Sequence, residues 1–323
     1  MGRRSPSDLL TAARDGDRAA LARVLSLIER GGEPARAVGR LVVREPGAAV
    51  TVGITGAPGA GKSTLTNALL DVIRADGERV AVLAVDPSSP FTGGAILGDR
   101  VRMDDHALDD QVFVRSMATR GHLGGLAVAA PEAVRVLAVA GFDRVLVETV
   151  GVGQVEVEVA GQADTTVVVV NPGWGDAVQA AKAGLMEIAD VFVINKADRP
   201  GAAETRRDLE RVLDLAGVRG DDRPPVCLAV STTGEGVAEV WAAVVARLEH
   251  LRSTGALDER RRRRAADEIT RLVAARLLER AQATTSGPRA EALAEAVAAG
   301  KLDPWSAADE LLVAHDEPAP ERG

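Results

Sequence analysis

Tyrosine is missing from the 323-residue chain, and phenylalanine and tryptophan together make up only 2% of it. Stacking of bases on an aromatic platform, a common grip on single-stranded nucleic acid, is therefore not available. A basic face is lacking too. The formal net charge of −8 is the wrong sign for a chain whose main partner is nucleic acid or an anionic membrane. The single cysteine, Cys227, excludes an intramolecular disulfide and fits a reducing cytoplasm; within an apolar run it reads as a small buried residue. Uncharged runs long enough to cross a bilayer are absent, since the richest apolar stretch, Leu123 to Phe142, contains Glu132 and Arg135, so a soluble protein is expected. Behind Arg3 and Arg4 no apolar stretch develops before Asp8, Arg14, Asp15 and Asp17, which argues against a secretory signal. His106, His122, His250 and His315 are scattered and no Cys-x-x-Cys pair exists; a soft-metal site has no local cluster to build on.

What is present is specific. After the apolar stretch Ala48 to Ile54 comes Gly56-Ala57-Pro58-Gly59-Ala60-Gly61-Lys62-Ser63, followed by Thr64 and a helical pattern to Ile73. This is the G-x-x-x-x-G-K-S spacing of a phosphate-binding loop. Glycines let consecutive backbone N–H groups point inward at phosphate oxygens, and the start of the next helix adds its positive end. Lys62 is placed to neutralise the β- and γ-phosphates, and the Ser63 hydroxyl to take one Mg²⁺ position. A Gly-rich turn by chance would lack the strand before it and the helix after it.

Further along, Val191 to Ile194 runs into Asn195-Lys196-Ala197-Asp198, an N-K-x-D pattern. A carboxylate at Asp198 accepts both N–H groups of the guanine Watson–Crick edge, whereas adenine offers an acceptor at N1 and repels it. GTP is thus favoured over ATP. The loop Ser231-Thr232-Thr233-Gly234-Glu235-Gly236, after the apolar run Val226 to Val230, stands where a backbone amide supports the guanine carbonyl. Between these ends, Arg79 to Val85 reads as a strand ending at Asp86, and Arg144 to Val147 as one ending at Glu148-Thr149-Val150-Gly151. Carboxylates at such strand tips suit the oxygen-rich coordination of Mg²⁺. Glu148 is the first candidate, because Gly151 can turn its N–H toward the γ-phosphate; Asp86 and Asp99 are the second. Where many GTPases carry a water-orienting glutamine after that glycine, this chain has Val152, with Gln154 two residues on. Slow hydrolysis is expected until a partner completes the site.

The chain divides into three parts. Residues 1–46 read as a helical segment, with one helix over Leu9 to Gly31 carrying Leu10, Leu21, Val24, Leu25 and Ile28, and a break at Gly31-Gly32-Glu33-Pro34. Residues 47–251 alternate apolar strands with helical stretches, the rhythm of an α/β domain whose mostly parallel sheet has helices on both faces. Ligands then belong at the carboxyl ends of the strands, where Gly56, Asp86, Glu148 and Asn195 all fall. Residues 252–323 are helical, with Ile269, Leu272, Val273 and Leu277 forming a stripe. Asp303-Pro304 reads as a cap and first position leading to Trp305, Ala308 and Leu312. That stripe needs cover, from the α/β domain or from a second copy. The run Arg260 to Arg264 circles its helix, so a solvated helix with Arg263 and Arg264 paired to Glu259, Asp267 and Glu268 is expected.

Together these residues resemble the MeaB-type (ArgK) GTPases, which act as chaperones of adenosylcobalamin-dependent methylmalonyl-CoA mutase. The resemblance rests on Gly56 to Thr64, Val85 to Pro90 with Gly93 to Arg100, Arg120 to Gly125, Glu148 to Gln154, Glu187 to Asp190 and Asn195 to Asp198. Glutamate at 148, where most GTPases carry aspartate, is its most discriminating piece. The resemblance implies a P-loop GTPase domain, GTP or GDP with Mg²⁺, and phosphate or metal roles for Lys62, Asp86, Asp99 and Glu148. It also implies an extra switch from Gly173 to Ala183 that touches the mutase, and a homodimer formed through the C-terminal helical segment. The chain departs from the family at Gln154-Val155, Trp174 and Ala177-Val178. Two alternatives stay open: a metal-insertion GTPase of the nickel-chaperone type, and a P-loop kinase linked to amino-acid transport.

Overall fold

The computed structural model describes residues 4–44, 47–86, 106, 108–118, 125–149, 162–173, 184–217 and 219–316. It divides into two compact units, residues 1–264 and 265–323.

The first unit is built on a seven-stranded sheet: β1 (Val50–Gly56), β2 (Val80–Asp86), β3 (Val112–Ala118), β4 (Arg144–Thr149), β5 (Thr165–Val170), β6 (Val191–Asn195) and β7 (Val226–Ala229). Its order is β3-β2-β4-β1-β5-β6-β7 and every pairing is parallel. A parallel sheet covered on both faces needs apolar residues at consecutive positions, because neighbours point to opposite sides. The sequence supplies them. Val167 and Val169 face the same side as Val191 and Val193, with α4 (Lys62–Ala75) and α8 (Val237–Ser253) packed over them. Val168, Val170, Phe192 and Ile194 face the other side, under α7 (Ala202–Leu215). Each fully buried aliphatic side chain of this kind contributes about 1.5–3 kcal/mol relative to exposure.

On that second side, over β2, β3 and β4, lie α5 (Gly125–Val139) and three N-terminal helices. Here the expectation of one helix over Leu9 to Gly31 is corrected: α1 spans Pro6–Arg14 and α2 spans Arg18–Arg30. Gly16 takes φ 94°, and the Asp17 side chain accepts from the Ala20 amide as a new N-cap. A left-handed residue followed by a capping carboxylate stops one helix and starts another. The break expected at Gly31 to Pro34 shrinks to Gly31 alone, since α3 begins at once (Gly32–Val42). Pro34 sits in its first turn, where the missing N–H has no intrahelical partner to lose. The short α6 (Gly184–Ile188) precedes β6.

The amino ends of three strands share a device. Asp143, Asp164 and Asp190, each directly before β4, β5 or β6, accept through their carboxylates the amides of Arg79 at 2.8 Å, Thr51 at 3.2 Å and Thr166 at 3.0 Å. Two of these carboxylates are also clasped by arginines. Asp190 is held by Arg260 through two bonds of 2.8 and 2.9 Å and by Arg247 at 3.2 Å. Asp164 is held by Arg261 at 2.7 and 3.0 Å and by Arg264 at 2.5 Å. A solvated ion pair is met on this helix, but Glu259 pairs with Arg262 at 2.6 Å rather than with the expected Arg263. For Arg260, Arg261 and Arg264 it is corrected: at i, i+1 and i+4 of α9 (Ala256–Thr284) they share a face and reach the carboxylates at the foot of the sheet.

Burial pushes the Asp164 carboxyl up, but the hydrogen bonds from Arg261 and Arg264 outweigh it, and the net shift is downward. A carboxyl lowered in the folded state adds stability above its unfolded pKa, and that stability is lost as pH falls through the folded value. Asp164→Asn is expected to cost about 3 kcal/mol at neutral pH, as removing one partner of a buried pair does. It should also flatten the loss of stability below about pH 4. Denaturant titrations at pH 7 and pH 3.5 check both; equal losses at the two pH values contradict the assignment.

The second unit contains the continuation of α9, then α10 (Pro288–Ala298) and α11 (Pro304–Asp316). Asp303 caps α11 as expected, accepting the amides of Trp305 and Ser306 at 3.0 Å each. Ile269, Leu272, Val273 and Leu277 are 63, 39, 52 and 58% exposed, and Trp305 is 84% exposed. Among the described residues no helix is long and apolar enough to cross a membrane.

Candidate nucleotide site

The site forms at the carboxyl end of β1, the central strand, flanked by β4 and β5. Gly56 leaves β1 with φ 136°, and a Cβ there would lie 2.0 Å from the Val169 carbonyl oxygen of β5. Only glycine lets the loop turn this close to the neighbouring strand. The Ala57 amide donates to that same carbonyl at 3.2 Å. Gly59 takes φ 68° with open space on its Cβ side, and Gly61 takes φ 92° as the residue before α4. The loop from Gly56 to Ser63, with Thr64 behind it, thus meets the N-terminus of a 14-residue helix, an arrangement that favours anions.

Lys62 is 8% exposed and its ammonium donates to the Gly56 and Ala57 carbonyls at 3.0 and 3.2 Å. The positive charge is therefore held inside the ring of the loop, over the path a polyphosphate would take. One residue on, the Ser63 hydroxyl donates to Glu148 Oε1 at 2.5 Å. Glu148 is 1% exposed at the end of β4, in register with Ile54 of β1. The next residue, Thr149, is fully buried and donates its hydroxyl to the Ile54 carbonyl at 3.3 Å. That bond ties the tip of β4 to the strand leading into the phosphate loop. A buried carboxylate is costly in isolation; set against a hydroxyl it forms a pair of hard oxygen donors of the kind that Mg²⁺ takes alongside phosphate and water. The residues present fit that ion.

The segment Asn195 to Asp198 is bound to the loop after β1 by its first two residues. Asn195, 2% exposed, donates through Nδ2 to the carbonyls of Ala60 at 2.8 Å and Gly61 at 3.4 Å. Its Oδ1 accepts from the Ser231 amide at 3.1 Å and the Ser231 hydroxyl at 2.7 Å. Three loops are thus joined through one amide side chain. Gly61 makes room for it, since a Cβ there would lie 2.4 Å from Asn195 Nδ2. Lys196 reaches Gly59 O at 2.6 Å from a left-handed backbone, φ 58°, which no other non-glycine described residue adopts. That conformation costs roughly 1–2 kcal/mol and marks a place where position outranks local comfort. Asp198 follows on an exposed turn, closed by the Arg199 amide to the Lys196 carbonyl at 3.0 Å.

The structure therefore brings together Gly56, Ala57, Pro58, Gly59, Ala60, Gly61, Lys62, Ser63, Thr64, Glu148, Asn195, Lys196 and Ser231. Asp198 and Thr232 are exposed on the adjoining loops. Asp86 ends β2, which pairs with β4 rather than β1; its side chain lies outside the described residues, as do Asp99, Gly151, Val152, Gln154, His122 and positions 174–183 of the extra switch. Two features went unread in the sequence. The Ser231 amide is taken by Asn195, and Thr149 braces the tip of β4; neither has a spacing signal, because both depend on which strands become neighbours.

Known proteins resemble this chain over most of its length. The family model described as methylmalonyl Co-A mutase-associated GTPase MeaB matches residues 21–286. A protein of Pyrococcus abyssi named as a GTPase is 47% identical over 308 residues, covering 94% of this chain and 95% of that one. The GTPase ArgK of Escherichia coli is 38% identical over 262 residues, 79% of each chain. The methylmalonic aciduria type A homolog of Mus musculus is 34% identical over 95% of this chain and 78% of its own. Among solved structures, that of a LAO/AO transport system kinase superposes with a TM-score of 0.71 at 26% identity, covering 98% of this chain and 99% of the other. With a G-x-x-x-x-G-K-S loop after β1, a carboxylate at the tip of β4 and an N-K-x-D turn after β6 at the carboxyl ends of neighbouring strands, the chain belongs to the MeaB family of GTPases.

Proposed function

We propose that this GTPase binds GTP with Mg²⁺ and serves as a chaperone of an adenosylcobalamin-dependent methylmalonyl-CoA mutase, gating cofactor loading and protecting the mutase from inactivation. The observation that carries the reading is the convergence of Lys62, the Ser63–Glu148 pair and the Asn195 anchor at the ends of three strands, in a chain matching a family described by its association with that mutase.

The residues divide the work by chemistry. Loop amides and the start of α4 receive the phosphates, and Lys62 neutralises their charge. Ser63 and Glu148 hold the metal, with Asp86 and Asp99 as further carboxylates for its water shell. When bound, the metal supplies charge that stabilises the bridging oxygens. Asp198 reads the guanine edge, and Thr232 is the candidate for the carbonyl contact, because the Ser231 amide is spent on Asn195. Gly151 follows the metal carboxylate and reports the γ-phosphate. Val152 in place of a water-orienting side chain leaves intrinsic turnover slow, and the client completes the site. The exposed stripe of Ile269, Val273 and Leu277 is covered by a second copy, so the working form is a homodimer in the cytoplasm.

Affinity capture from the source cell tests this, with the chain as bait in GDP and in a non-hydrolysable GTP analogue. Recovery of a cobalamin-dependent acyl-CoA mutase whose yield differs between the two nucleotides supports the proposal. Capture that yields no such mutase, in either state, sinks the chaperone role while leaving the GTPase intact.

A further inference from the structure

At the amino ends of β2 and β3, the opposite edge of the sheet from the nucleotide site, lies a cavity of about 300 Å³. It is lined by Ala13 of α1 and Leu21 of α2, by Phe113 of β3, and by Phe142, two residues before β4. The two phenyl rings lie 6.1 Å apart. A guanidinium from a further lining residue stands over each ring, Arg18 at 5.8 Å from Phe113 and Arg79 at 4.9 Å from Phe142.

Stacking occupies the face of a guanidinium and leaves its in-plane N–H groups to find acceptors. Arg79 donates through Nη1 to the Ala140 and Gly141 carbonyls at 3.2 and 3.0 Å. Glycine at 141 makes room for that nitrogen, since a Cβ there would lie 2.6 Å from it. Arg79 Nε is buried and has no hydrogen-bond partner among the described residues. A buried donor without an acceptor is costly, and few are kept. The neighbouring carboxylates do not meet it. Asp143 accepts the Arg79 amide, and Asp17 caps Ala20 and accepts from Arg4. Asp110, whose side chain is 91% exposed, stands 3.9 Å from Arg18.

We propose that this cavity binds a small monocarboxylate with an apolar body. A carboxylate oxygen accepts from Arg79 Nε, Arg18 supplies the second cation, and the hydrocarbon packs on Phe113, Phe142 and Leu21. The volume is at the lower end for small-molecule sites, room for a body of about four to six carbons. A dianionic phosphate fits less well, because Asp17 and Asp110 also line the cavity and repel a second negative charge.

The test titrates the full-length protein by calorimetry with 4-methylpentanoate, and with 4-methylpentanamide as the uncharged control of the same shape. The parent should bind the acid with a dissociation constant of about 1 mM or tighter and the amide at least tenfold more weakly. Arg79→Lys keeps the charge but removes the Nε donor, and should weaken binding by roughly tenfold or more, the loss of one charged hydrogen bond. Arg18→Gln, at a more exposed position, should weaken it about threefold or more. Thermal midpoints establish that each variant is folded, and GTP turnover should stay at the parent value in both. No binding of the acid by the parent overturns the proposal, as does equal binding of acid and amide. Affinity unchanged in either folded variant places the ligand elsewhere and overturns it too.

Discussion

Lys62→Ala is expected to lower single-turnover GTP hydrolysis on the order of 10²- to 10³-fold, the usual cost of removing one preorganised donor from developing charge. In the structure the ammonium is nearly buried and held by two carbonyls of its own loop, so its position is set before any ligand arrives. Charge placed in advance needs no reorganisation when phosphate charge shifts toward the leaving group. The fold should tolerate the change, because the loop conformation rests on positive-φ glycines and on Val169 rather than on the ammonium. Rapid-quench measurement at saturating GTP, with thermal unfolding as the control for folding, checks this. Hydrolysis within twofold of the parent would remove Lys62 from the site.

The second large effect belongs to base selection. Asp198→Asn replaces two acceptors by one acceptor and one donor. Guanine presents N–H donors at both N1 and the 2-amino group, so the new amide loses one bond and sets a donor against a donor. A hydrogen bond to a charged group contributes about 1.5–3 kcal/mol, and GTP affinity should fall by roughly ten- to a hundredfold. Xanthosine triphosphate, with a carbonyl at position 2, matches the new pattern, and its affinity should rise as that of GTP falls. Competition titrations with GTP, xanthosine triphosphate and ATP decide the matter. A variant that keeps the parent preference would mean that another residue reads the base. Asn195 cannot take over, since all its hydrogen-bonding atoms are committed to Ala60, Gly61 and Ser231.

Much of the fold was legible because the features that define it are local. The valine runs of β5 and β6 announce strands buried on both faces, and a glycine-rich spacing between strand and helix announces an anion site. The order of these pieces along the chain was enough to put Gly56, Glu148 and Asn195 at one edge of a parallel sheet. The features that escaped are non-local. Nothing in Arg260 to Arg264 says that Asp164, 97 residues before Arg261, and Asp190, 70 residues before Arg260, will lie beside it; the run looks like a solvated helix until the sheet is assembled. The apolar spacing from Leu9 to Gly31 reads as one helix, whereas Gly16 with φ 94° and the capping carboxylate of Asp17 divide it into two. Asn195 was read as part of a base-recognition string, but its contacts show it to be the joint between the phosphate loop and the loop after β7.

The central claim is that this site turns over GTP and that a cobalamin mutase completes it. Steady-state hydrolysis by the purified chain, alone and with methylmalonyl-CoA mutase titrated in, tests it most directly, with ATP as the control substrate. The account predicts slow GTP turnover that rises saturably with mutase, and no comparable response with ATP. A GTP rate indifferent to mutase across the titration would contradict the chaperone assignment, while a preference for ATP would contradict the site itself.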